Sequence, residues 1–110
     1  MVKVLRQNLN LMKRTEQRIQ LLHPQGKHAP SISTDTYYLF EKVIIEILQQ
    51  KEPLAFYELV EEIKKYFKKN KIKFDGAIDW FGISVKNHLE ARGVVESYME
   101  KGKKLNRLKK

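Results

Sequence analysis

Apolar residues recur at helical spacing in three stretches of this chain and alternate in one. The first helical stretch opens near Ser33–Asp35, whose side chains offer N-caps, and runs to about Gln49. Tyr37, Leu39, Phe40, Val43, Ile44, Ile47 and Leu48 make one broad face. Tyr38 and Ile45 fall on the opposite side, so this helix is expected to be covered on both sides. Pro53 then disfavours helix at Glu52, and "PLAF" reads as a short extended piece.

The second helix carries a single stripe, Phe56, Leu59, Val60, Ile63, Tyr66 and Phe67. Its acids come early and its lysines late, which complements the helix dipole and predicts pairs such as Glu61–Lys65. "NKIKFDG" connects it to a third helix from about Ala77 to Arg92, with Asp75 as expected cap and Gly93 as terminator. Ile78, Phe81, Val85 and Leu89 form its inward face, and Gly82 inside it suggests close approach by another backbone. "VVESYME" is a strand, Lys101–Gly102 a turn, and "KKLNRL" a return strand with poor alternation.

The N-terminal part is less regular. Val2, Leu5, Leu9, Met12 and Ile19 follow a 3-4 spacing, which reads as an amphipathic helix over residues 1–22; "RIQLL" reads equally as a short strand. "HPQGKHAPSIS" is a loop. The expected architecture is mainly α (α+β). It is a winged-helix-like three-helix domain with a C-terminal β-hairpin wing, over residues 31–110, behind an N-terminal extension over residues 1–30. A plain three-helix bundle is the alternative, and the hairpin after Gly93 separates the two.

Length agrees with one core: 110 residues suit one domain. The chain has no cysteine, which excludes disulfides and thiolate sites, and no apolar run suited to a bilayer. The expected location is cytoplasmic. Net charge is +9, and its distribution matters more than its sum. Residues 31–63 are net acidic, whereas residues 64–73 and 101–110 each carry six basic side chains and no acid. The first of these runs is explained by the helix dipole. The second, Lys101, Lys103, Lys104, Arg107, Lys109 and Lys110, sits on and beyond the wing. It is the candidate for non-specific phosphate contact, with a salt slope of about −5 if all six engage. A solvated tail is the plainer reading of the same residues.

The third helix is a poor base reader. Its outward face presents Trp80, Ile83, Asn87, Glu90 and Ala91, with Lys86 on the flank beside Asp79. Such a face calls for cover. The candidates are the N-terminal segment through Leu5, Leu9 and Met12, or a second copy in a homodimer built on Trp80, Ile83, Asn87 and Ala91. His23 and His28 share a loop without further ligands, and His88 reads as a satisfied boundary residue. No nucleophile, phosphate-cradling or metal motif is found, so no catalytic residue, metal, cofactor, small-molecule substrate or membrane partner is expected.

At "FDGAIDWF…VKNHLEARGVVE", residues 74–96, the chain resembles a family of small bacterial proteins of unknown function with winged-helix character. His23–Pro24, Tyr37 or Tyr38, and "PLAFYELVEEIK" fit the same picture, and the likeness spans roughly residues 19–100. The resemblance implies the fold and assigns no activity. The reading that follows is a non-enzymatic binding module. Its expected partner is nucleic acid, through the wing, or alternatively protein, through the third helix.

Overall fold

The computed structural model describes residues 17–110. The expectations for Leu5, Leu9 and Met12 lie outside the described residues. The chain is α+β, with three helices and two small antiparallel hairpins.

Strands β1 (Arg18–Gln20) and β2 (Ser31–Ser33) pair with Ile19 opposite Ile32. The strand reading of "RIQ" is therefore the one observed. "SIS", expected to be loop, is strand because Ile32 is buried in the core while Ser31 faces water. A three-residue strand flanked by Pro30 is too short to announce itself by alternation.

Helix α1 (Thr34–Lys51) starts at Ser33, whose Oγ accepts the Thr36 N–H at 3.2 Å. Its broad face is buried, with Leu39 at the margin. Tyr38 is 57% exposed, so the helix is not covered all round. Helix α2 (Phe56–Lys69) turns Leu59, Ile63 and Phe67 inward. Glu62 pairs with Lys51 of α1 at 3.0 Å and with Lys65 at 3.5 Å; Glu61 pairs with Lys64, not with Lys65 as expected.

Helix α3 (Ile78–Ala91) buries Val85 and Leu89. Its N-cap is Ala77 rather than Asp75, and no side chain caps it. The displacement has a packing cause. Phe74 stands edge-on to Phe40 at 5.0 Å and to Phe81 at 5.1 Å, which draws the connection inward. Gly76 then passes so close that an added Cβ would meet Phe81 at 2.7 Å and Phe74 at 2.9 Å. Gly82, by contrast, faces side chains of α2, with Ile63 Cδ1 at 3.5 Å from a notional Cβ, not another backbone.

Strands β3 (Val95–Glu100) and β4 (Lys103–Leu108) pair in register from Val95–Leu108 to Glu100–Lys103. The turn between them takes positive φ at both Lys101 and Gly102, the two-residue form that matches strand twist. Leu54, between α1 and α2, bridges Asn106 of β4 through hydrogen bonds at 3.0 and 2.8 Å. Leu105 and Asn106 are neighbours yet both buried, so β4 is covered on both faces there. This explains its poor apolar alternation. Leu21, Ala29 and Ile32 of the first hairpin share one core cluster with the three helices. Among the described residues, no helix is long and apolar enough to cross a membrane.

Candidate functional site

The outer side of α3 is bordered by the loop of the first hairpin. His88 holds the two together. Its Nδ1 accepts the Leu22 N–H at 2.9 Å, so the ring proton resides on Nε2. Nε2 is buried and has no hydrogen-bond partner among the described residues. The ring stands edge-on to Tyr37 at 5.3 Å. Burial, and then Arg92, push the His88 pKa below 6.5, with Glu41 opposing. The imidazole is thus neutral at pH 7 and keeps its acceptor. Tyr37 donates to Glu41 Oε2 at 2.6 Å, and burial together with that bond raises its pKa to about 12.

With the loop docked, two pockets lie along α3. The first, of about 370 Å³, runs between Leu22, Ala29 and Pro30 on the loop side and Trp80, Ser84 and Asn87 on the helix. Those three helix positions are one face, spaced i, i+4 and i+7. Trp80 is 47% exposed and its indole is edge-on to Phe81 at 4.8 Å; Leu22 is exposed beside it.

The second pocket, of about 220 Å³, shares His23 and Asn87 with the first and is polar. Lys86, expected on the flank of the helix, is 2% exposed and donates to Glu90 Oε1 at 2.9 Å. Ser97 Oγ lies 3.0 Å from the same oxygen and 2.7 Å from Asn106 Oδ1, so its one proton serves one of two acceptors. Asn106 Nδ2 donates to the Leu54 carbonyl at 3.0 Å. Burial lowers the Lys86 pKa against the pull of Glu90. Burial tends to raise that of Glu90, but Lys86 and Ser97 outweigh it and hold the carboxyl below its usual range. This chain of contacts ties α3, both strands of the second hairpin and the α1–α2 connection into one polar unit.

The structure divides the residues singled out from sequence. Trp80 and Asn87 line the first pocket, Ile83 and Asn87 the second, and Ala91 is exposed but lines neither. Of the six C-terminal cations, Arg107 and Lys110 have carboxylate partners and Lys103 an aromatic one. Arg107 pairs with Glu96 at 2.6 Å and stacks on Tyr98, with its guanidinium carbon 4.4 Å from the ring centre. Lys110 reaches Glu52 at 3.2 Å, and Lys103 lies over the Tyr57 ring at 5.6 Å. Glu52 also accepts the Leu108 N–H, which with Lys110 holds its carboxyl below the usual range. Lys101, Lys104 and Lys109 have neither a carboxylate nor an aromatic partner among the described residues.

Sequence reasoning missed the burial of Lys86 and the roles of Leu22 and Asn106. The Lys86–Glu90 spacing of four was a usable signal. Nothing local marked Asn106, whose role depends on a bridge to Leu54, 52 positions away. Compared with known proteins, residues 18–105 match the model of a family of unknown function, DUF6958. No curated protein and no solved structure matches the chain.

Proposed function

The chain belongs to that family of unknown function, DUF6958, and with no activity to inherit we propose a function from the surface itself. The protein is a non-enzymatic binding module of winged-helix type that pairs with a second copy through the outer face of α3. The winged-helix reading rests on element order together with the Leu54–Asn106 bridge, which adds a short third strand position beside the wing.

The pairing reading rests on one observation: half-exposed Trp80 beside a pocket of about 370 Å³ with an apolar rim of Leu22, Ala29 and Pro30. A helix bordered by the His23–Pro30 loop is poorly placed to enter a major groove. A second copy suits the face for reasons of shape and charge. An isologous contact can set the loop of one protomer against the helix of the other. Exposed Lys27 on the loop and exposed Asp79 beside Trp80 carry opposite charges suited to such a contact.

Burying the exposed half of an indole is worth at most ~3 kcal/mol per protomer, at ~25 cal/mol per Å². Sedimentation equilibrium on the wild type is expected to show a dimer at micromolar concentration. Trp80→Ala should raise the dissociation constant about a hundredfold, which corresponds to roughly half of that ceiling for the two indoles together. A strictly monomeric wild type refutes the reading.

A second reading is favoured by the three C-terminal lysines that have neither a carboxylate nor an aromatic partner among the described residues. Lys101, Lys104 and Lys109 would give non-specific contact with nucleic-acid phosphates. With three contacts, log K would fall with log salt at a slope of about −3, shallower than six cations would give. Duplex DNA that does not bind at low salt excludes it.

A further inference from the structure

The polar pocket between α3, the first hairpin's loop and β4 contains a buried cation whose bonding capacity is not used up by the contacts among the described residues. An ammonium can donate three hydrogen bonds. Among the described residues, Lys86 has one acceptor, Glu90 Oε1. Lys86 and Asn106 are both buried and line the pocket, together with Glu90, Asn87, Gln25 and exposed Lys104. A buried ammonium is stable only when paired and well hydrogen-bonded, so this wall favours oxygen acceptors.

The charge count narrows the class. Two ammonium groups, Lys86 and Lys104, face one carboxylate, Glu90, leaving one positive charge in excess. Lys104 is close enough to disfavour the charged form of Lys86 and to favour that of Glu90, which agrees with both cations sharing the pocket. A single negative charge balances the excess, whereas a phosphate dianion sets a second charge beside Glu90. The volume, about 220 Å³, is below the ~300–1,000 Å³ of sites for drug-sized molecules.

We propose that this pocket binds a small monocarboxylate, its carboxylate held by Lys86 and Lys104 and its polar substituents by the side-chain amides of Asn87 and Gln25. This site adjoins the Trp80 pocket, sharing His23 and Asn87 with it, but does not require pairing.

The test is a titration of the ¹⁵N-labelled full chain with acetate, lactate and inorganic phosphate, sodium chloride keeping ionic strength constant. Saturable shifts of the Asn87 and Gln25 side-chain amides are expected with acetate or lactate at millimolar concentration. Lys104→Ala, at an exposed position, should weaken binding about tenfold, the effect of one modest charged contact. The double variant Lys86→Met, Glu90→Met removes the pair together and should abolish the shifts while the rest of the spectrum stays folded. The proposal is overturned by shifts that do not saturate, by shifts unaffected in the double variant, or by phosphate binding more tightly than either carboxylate.

Discussion

Separating Lys86 from Glu90 should destabilise the fold with a pH dependence that has opposite sign for the two single variants. Lys86→Met keeps most of the aliphatic stem and removes the charge. It leaves Glu90, about one-fifth exposed, with Ser97 in hydrogen-bond reach and Lys104 across the pocket. Glu90→Met leaves an ammonium that is 2% exposed and has lost its acceptor. In each case the cost is capped, because the stranded group can neutralise instead. Neutralising a lysine that ordinarily titrates at 10.5 costs about 5 kcal/mol at pH 7, at ~1.36 kcal/mol per pH unit. Neutralising a glutamate that titrates at 4.5 costs about 3 kcal/mol. Glu90→Met is therefore the worse variant, by up to ~1.4 kcal/mol, and the deeper burial of Lys86 points the same way.

The penalty of Lys86→Met should shrink as pH falls toward 4.5, where Glu90 protonates readily. The penalty of Glu90→Met should shrink as pH rises toward 10.5. The double variant should lie within about 1 kcal/mol of wild type, since an apolar pair avoids both desolvation costs. Urea denaturation of the four proteins at several pH values gives the coupling directly. Additive single variants, or two penalties that move the same way with pH, would refute the buried pair as described.

Other outcomes follow from the same contacts. His88 is held below 6.5, so the unfolded chain takes up its proton first. Stability from this group is complete above about pH 6.5 and is lost as pH falls from there through the lowered folded value. Tyr37, Arg92 and Glu41 are the groups around the ring, and His88→Gln, which can still accept the Leu22 N–H, should flatten the change in denaturation midpoint between about pH 7 and pH 5. Gly76→Ala drives a Cβ into the Phe74 and Phe81 rings, which packing holds against Phe40, and should cost about 1–3 kcal/mol by thermal unfolding. Asn106→Ala removes the side-chain bond to the Leu54 carbonyl and should cost about 1–3 kcal/mol, with faster amide exchange at Leu54. Unchanged exchange there would mean the backbone bridge holds without the side chain.

The three helices were legible in the sequence because each rests on a local signal. Ser33 caps α1, one apolar stripe defines α2, and Gly93, with positive φ, ends α3. The second hairpin was legible for the same reason, since Lys101–Gly102 is a turn by its own chemistry. Burial was only partly legible. A wheel placed Lys86 on the flank of α3, yet the tertiary structure buries it, with residues of β4 and of the first hairpin's loop lining the same pocket. Ile32, Leu105 and Asn106 belong to segments too short or too evenly covered for periodicity to speak. The site is more a product of assembly still. Both pockets combine α3 with the distant loop of the first hairpin, and the His88–Leu22 bond that sets loop against helix spans 66 positions. Charge shows the same division. Six cations can be counted along the chain from Lys101 onward, but only folding brings Glu96 to Arg107 and Glu52 to Lys110. Local propensity depends on neighbours along the chain, whereas pairing and burial depend on neighbours in space, and those are fixed only when the core closes.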